Sequence, residues 1–253
     1  MKLYTITFSP TGGTQKVANL LTKTLAGEHI AVDLTDHQID FSILPFSQED
    51  VAVIAVPSYG GRVPSPATER LRTMKGCGAR AILVCVYGNR AYEDTLAELE
   101  DAAKQAGFRV IAAVAAIAEH SIAHRYAAGR PDPEDEKQLQ EFADQIQNKL
   151  STGTCTEPKI PGNRPYKKTG GTSMVPKPTA DCIRCGLCAK KCPVQAIDSD
   201  NPTCTDKEKC ISCMRCVVIC PHSARKVSSV MLAAADLALK KVCSSRKQGE
   251  LYL

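Results

Sequence analysis

The chain contains no tryptophan, and its 253 residues include only 7 tyrosines and 5 phenylalanines, so a flat ligand could be stacked only by those rings. Nowhere does an apolar run approach the roughly 20 residues of a bilayer-spanning helix. The longest aliphatic stretch, Val110 to Ala118, is less than half of that. No Gly-Lys-Ser or Gly-Lys-Thr triplet closes a glycine loop, which excludes a nucleoside triphosphate loop. Met1 to Ile6 lack the apolar core of a secretion signal, and nothing marks the oxidising compartment in which disulfides persist. The expectation is a cytoplasmic protein without a membrane span. No helix-turn-helix is recognisable, so nucleic acid is not expected as a partner.

Cysteine is abundant: the chain has 13. Eight of them form two copies of one spacing, C-x-x-C-x-x-C-x-x-x-C-P. The first is Cys182, Cys185, Cys188 and Cys192 with Pro193; the second is Cys210, Cys213, Cys216 and Cys220 with Pro221. Ile183 and Ile211 match as well, which marks an internal repeat and a pseudo-twofold domain. Structural zinc takes two separated C-x-x-C pairs to make one tetrahedron. Three thiolates on a short loop with a fourth just beyond suit a cubane, so the pattern predicts two [4Fe–4S] clusters. The fourth cysteine of each motif is expected to cross to the other cluster. One cluster then takes Cys182, Cys185, Cys188 and Cys220, and the other takes Cys210, Cys213, Cys216 and Cys192. The remaining cysteines, Cys77, Cys85, Cys155, Cys204 and Cys243, are assigned to no metal.

Charge is uneven along the chain. Residues 1–150 hold 15 Lys and Arg against 19 Asp and Glu, whereas residues 151–253 hold 17 against 8. Two clusters with their thiolates, each about −2 when oxidised, offset part of that basic excess. The acidic and basic halves can attract one another, within one chain or across a homodimer.

Short apolar runs over 2–8, 30–34, 51–56, 80–86 and 108–117 read as strands, with helical pattern at 16–25, 91–106 and 133–150. Alternation of this kind predicts a parallel sheet with helices on both faces. Pro- and Gly-rich residues 151–177 read as an extended linker, 178–228 as the cluster domain, and 229–253 as a last helix with a tail.

The first predicted strand runs into Ser9-Pro10-Thr11-Gly12-Gly13-Thr14 and then a helix, a turn whose N–H groups can converge on an anion. This loop resembles the FMN phosphate loop of flavodoxins, and the cysteine repeat resembles bacterial two-cluster ferredoxins. Together the two halves resemble the fused flavodoxin–ferredoxin family. The resemblance implies an α/β flavodoxin-like, doubly wound, five-stranded parallel sheet followed by a smaller α+β two-cluster ferredoxin domain, with FMN and two [4Fe–4S] clusters as cofactors. It implies that Ser9, Thr11, Gly12, Gly13 and Thr14 hold the phosphate. It also implies that the loops after the third and fourth strands, with Ser58, Tyr59, Gly60 and Gly61 and with Tyr87, Gly88, Asn89, Arg90 and Tyr92, surround the ring. Tyr59 or Tyr92 is expected to pack on that ring. Arg62, Arg90 and His120 are further candidates near it, as charges or a proton source. Gly76 to Ala81 fits a dinucleotide pattern but precedes a strand instead of following one, so it reads as a helix-ending turn.

The expected role is an anaerobic electron carrier that exchanges electrons between FMN, the clusters and redox partner proteins, with no catalytic side chain. The alternative is an FMN-dependent oxidoreductase fed by the clusters.

Overall fold

The structure is a computed structural model that describes residues 1–154, 156–168 and 174–253. Its first element, β1 (Lys2–Thr7), is followed by α1 (Gly13–Thr22), β2 (Glu28–Asp33), β3 (Val51–Pro57), α2 (Ser65–Thr73), β4 (Arg80–Tyr87), α3 (Thr95–Gln105), β5 (Arg109–Ile117) and α4 (Pro133–Ser151). β3 lies in the middle because Val51 to Val56 is apolar on both faces and fully buried. The parallel strands run β2-β1-β3-β4-β5, the order of the flavodoxin-like doubly wound sheet. α1 and α4 cover one face through Val17, Leu21, Leu139 and Ile146. α2 and α3 cover the other through Leu71, Leu96 and Leu99. Asp132 caps α4 by accepting from Glu134 N and Asp135 N, with Pro133 at the first helical position. α2 has too weak an apolar stripe to be read from sequence, since few of its residues are apolar and only one face is buried.

The second half continues with β6 (Lys177–Pro178), α5 (Leu187–Lys190), α6 (Arg215–Val218), β7 (Arg225–Lys226), α7 (Ser229–Lys240) and β8 (Glu250–Tyr252). The five parallel strands expected are all present, and the sheet is extended beyond them. β8 adds a sixth strand, antiparallel to β5, pairing Ala113 with Tyr252 and Ala115 with Glu250. It covers the backbone edge that β5 would otherwise present to solvent. Leu251 and Tyr252 then pack on opposite faces of the sheet. α7 buries none of its residues, and Val230 and Leu237 are each 76% exposed. It is tied down by polar contacts, Arg125 with Asp236 and Tyr126 Oη with the Asp236 carbonyl.

The 28-residue repeat is written into the backbone. Arg184 and Ser212, Gly186 and Met214, and Gln195 and Ser223 all have positive φ at matching positions. α5 and α6 match as well.

The acidic and basic halves meet within one chain. Residues 156–168 lie along α3, where Arg164 grips Asp101 and Glu100, Lys167 N and Asn163 N donate to Asp94, and Lys167 pairs with Glu93. The tail is held by Arg246, which pairs with Asp132 and Asp135. Hydrogen bonding from Arg90 and then Lys167 holds the Glu93 carboxyl below its ordinary range. Arg164 does the same for Asp101. Burial opposes ionisation of Asp94, but the donors on Lys167 and Asn163 outweigh it. The folded pKa values lie below unfolded ones of about 4, so this grip is complete above about pH 4 and fades as pH falls through the folded values. Timed digestion with an acid protease should therefore leave residues 156–168 intact near pH 5 and cut them near pH 2. Equal cleavage at both would show that the carboxylates do not hold the segment.

Candidate functional site

A cavity of about 620 Å³ opens at the carboxyl ends of β1, β3, β4 and β5. This is the crevice where an open doubly wound sheet takes its ligand. Its floor at one end is the start of α1, where Gly12 sits in the left-handed region at φ 92° and no side chain caps the helix. Ser9 Oγ accepts from Gln15 N at 2.9 Å. Among the described residues nothing accepts from Gly13 N or Thr14 N. Thr11, Gly13 and Thr14 line the cavity here, and unpaired N–H groups at a helix start are donors of the kind that an anion uses.

The loop after β3 forms a tight turn. Tyr59 and Arg62 exchange backbone hydrogen bonds across Gly60 at φ 62° and Gly61 at φ 85°, a type I′ turn that requires positive φ at both central positions. At Gly61 a Cβ would also lie 1.9 Å from the Glu93 carboxylate. Arg62 is held by Glu98 through Nε and Nη2, both at 2.7 Å, so its charge is already paired. His120 lines the opposite wall. Its Nδ1 accepts from Ile122 N and Ala123 N at 3.2 and 3.1 Å, so the proton resides on Nε2. Burial, then the nearby His124 and Arg90, push its pKa down and keep the ring neutral.

The roof of this cavity comes from the other half of the chain. Cys210, Ile211 and Ser212 line it alongside the start of α1 and the strand-end loops. Ile211 packs on the apolar core of the first half. Tyr59, in the cavity wall, lies near enough to Cys213 that a thiolate there adds to the effect of burial in raising the phenol pKa. Arg70 of α2 fixes the arrangement by donating to the carbonyls of Leu34 and Pro193.

Behind the roof, Cys192 lines one small pocket with Cys210, Cys213 and Cys216. Burial, then the repulsion of neighbouring thiolates, pushes Cys213 up to about 12 and Cys216 up to about 11. Arg225, 1% exposed, donates to uncharged oxygens of Pro176, Thr205 and Pro202, and its charge acts to lower the pKa of Cys210 and Cys216. No carboxylate pairs with it among the described residues, and both Arg225 Nε and Arg215 Nε are buried without a partner. An unpaired buried cation beside four mutually repelling thiols fits an iron–sulfur cluster, whose net charge is negative. The other four cysteines of the repeat are more open, with Cys185 exposed and Cys182, Cys188 and Cys220 half-buried. Cys192 Sγ and Cys220 Sγ accept from Ala196 N and Ala224 N, each at 3.3 Å, another match across the repeat. Among the described residues no group of three or more His, Cys, Asp or Glu side chains is placed to hold a metal ion as the side chains stand.

Residues 181–224 match the family described as a 4Fe-4S dicluster domain. The chain is a flavodoxin-like α/β domain joined to a ferredoxin-type dicluster domain. Among solved structures, a flavodoxin from Streptococcus pneumonia TIGR4 overlays 58% of this chain and 99% of its own, with 20% identity and a TM-score of 0.43. An oxidised flavodoxin from Bacillus cereus overlays 58% and 98%, with 15% identity and a TM-score of 0.42. A Fusobacterium nucleatum flavodoxin bound to flavin mononucleotide overlays 59% and 99%, with 14% identity and a TM-score of 0.40. No curated protein matches the chain. No helix among the described residues is long and apolar enough to cross a membrane.

Of the residues expected around the flavodoxin-like site, Thr11, Gly13, Thr14, Ser58, Tyr59, Gly60, Tyr87 and Gly88 line the cavity. Six do not. Ser9 and Gly12 serve the start of α1, and Gly61 makes room for Glu93. Asn89 is turned away by its own φ of 65° and donates from Nδ2 to the carbonyls of Cys243 and Ser245. Arg90 pairs with Glu93 at 3.0 Å. Tyr92 bonds Glu250 and Tyr252 of β8. The side chains of Asn89 and Tyr92 thus anchor the tail, and the Arg90 carbonyl accepts from Lys247 Nζ of it. Gly88 is required by His120, whose ring would lie 2.6 Å from a Cβ there. Glu98, which fixes Arg62 and accepts from Val63 N at 2.8 Å, and the roof residues Cys210 to Ser212 carried no local sequence signal for this site. Of the spare cysteines, Cys85 and Cys243 are buried, Cys77 and Cys204 are exposed, and Cys155 lies outside the described residues.

Proposed function

We propose that the protein relays electrons in the reducing cytoplasm between FMN in the large cavity, two [4Fe–4S] clusters and external redox proteins. FMN exchanges one or two electrons and each cluster one, so the pair couples two-electron to one-electron carriers. The observation that carries the reading is the presence of Cys210, Ile211 and Ser212 in the same cavity as the start of α1 and the strand-end loops.

Gly13 N and Thr14 N bind the phosphate, with Thr11 and Thr14 hydroxyls beside them. Tyr59 and Tyr87 supply flat surfaces, and the neutral His120 offers a hydrogen-bond donor at Nε2. Ile211 excludes water between the two domains. Cys210, Cys213, Cys216 and Cys192 hold the inner cluster; Cys182, Cys185, Cys188 and Cys220 hold the outer one, following the repeat. An oxidoreductase acting on a small molecule would need open room over the ring. The roof takes that side, which favours the relay.

Anaerobic rapid mixing with a one-electron reductant tests this. Flavin reduction should follow cluster reduction with a first-order rate that does not change with protein concentration. A rate proportional to concentration would mean exchange between molecules and would overturn the single-chain relay.

A further inference from the structure

The pseudo-twofold relates a buried port to an exposed one. Ile211 and Cys213 of the second motif face the flavodoxin-like domain: Ile211 packs on its core, and Cys213 is 9% exposed beside Tyr59. Their counterparts 28 residues earlier, Ile183 and Cys185, are exposed, Ile183 by 64%. The face that the second motif presents inward is thus presented outward by the first, with an isoleucine and a ligand thiol at its centre.

The repeat is broken in charge as well as in burial. Arg184 lies in the open loop and Lys190 and Lys191 at the end of α5; all three are exposed, and none forms an ion pair among the described residues. Their counterparts are Ser212, Val218 and Ile219, which are uncharged. Three unpaired cations on the same segment as an exposed isoleucine suit a transient protein partner of opposite charge. The geometry points to the segment from Ile183 to Lys191 as the docking surface for an acidic electron-carrier protein, with Ile183 as its apolar contact and Arg184, Lys190 and Lys191 as its charged ones. It rests on the relay reading in one respect: that reading makes this motif the outer one.

The test measures binding, not turnover. The cluster-loaded protein is titrated anaerobically with an oxidised, small acidic two-cluster ferredoxin, and affinity is measured by calorimetry at low and at physiological ionic strength. Lys190→Glu/Lys191→Glu should weaken binding about tenfold or more at low ionic strength and flatten its salt dependence. Lys23→Glu/Lys137→Glu makes the same change in net charge on exposed residues of the flavodoxin-like domain and should leave affinity within about twofold. Ile183→Ala should weaken binding at both ionic strengths, since its contribution is apolar. If the charge reversal lowers iron and sulfide content, Lys190→Gln/Lys191→Gln repeats the comparison with charge removed and none added. The proposal is overturned if the ferredoxin does not bind the unmodified protein at low ionic strength, if the loop variants bind unchanged, or if both double variants lose affinity equally. Binding needs no flavin chemistry, so a docking surface that survives with slow or intermolecular flavin reduction would refute the relay alone. The reverse result would refute the surface alone.

Discussion

Cys192→Ser should remove the inner cluster and leave the outer one, although Cys192 belongs in sequence to the first motif. Its sulfur lies in one pocket with Cys210, Cys213 and Cys216, and the three cysteines that precede it surround a different centre by the repeat. Serine is a poor substitute for a thiolate at iron. Loss of a supporting residue around a metal already costs about 10–100-fold, and loss of a ligand itself exceeds that. The expected result is iron and sulfide at about half the unmodified content, with the spectrum of one cluster retained. Flavin reduction through the protein should slow by about a hundredfold or more. Cys220→Ser is the mirror experiment. It should remove the outer cluster and leave exchange between the inner cluster and the flavin cavity intact. Iron quantification with low-temperature EPR separates the two. If Cys192→Ser instead erased the first-motif cluster, each motif would serve its own cluster, and the crossing would be wrong.

What could be read from the sequence was local. β3 declares itself because six consecutive residues are apolar, and only a strand buried on both faces tolerates that. The start of α1 declares itself because its two glycines and its hydroxyls are contiguous, and a helix N-terminus needs no distant partner to bind an anion. The cysteine repeat is legible for the same reason. What escaped was set by distant contacts. Asn89, Arg90 and Tyr92 follow β4 at the ligand end of the sheet, but their side chains are claimed by Cys243, Ser245, Glu93, Glu250 and Tyr252. β8 is three residues long and exists because the β5 edge is available to pair. Neither fact has a trace in the alternation of apolar and polar residues. The roof over the cavity depends on which side of the dicluster domain docks. A signal for it was present in the mismatch between the two copies of the repeat. Arg184 against Ser212 and Lys191 against Ile219 distinguish a solvent-facing loop from a docked one, once the copies are compared position by position.

The same comparison isolates Arg225, whose counterpart in the first copy is Ile197. Arg225 is fully buried and directs Nη1 to the carbonyl of Pro176 at 3.2 Å and the hydroxyl of Thr205 at 3.0 Å, with Nη2 on the carbonyl of Pro202. None of these partners is charged, and a buried cation is costly without an opposite charge. The thiolates of Cys210 and Cys216, and the negative cluster they would hold, supply it. A fixed positive charge favours the reduced, more negative state of that cluster, and Ile197 provides nothing equivalent to the other. Arg225→Leu should therefore lower the potential of the inner cluster by about 60 mV, a tenfold shift in a one-electron equilibrium, and leave the outer one in place. The substitution also strands the carbonyls of Pro176 and Pro202, at a cost of about 1–3 kcal/mol for each left buried without a donor. Arg225→Lys keeps the charge and separates the two effects: its potential should stay near that of the unmodified protein even where stability falls. EPR-monitored redox titration of the three proteins decides the matter. Equal shifts of both clusters, or a Lys variant that moves as far as the Leu variant, would mean that Arg225 acts through packing and that its charge does not set the order of the two potentials.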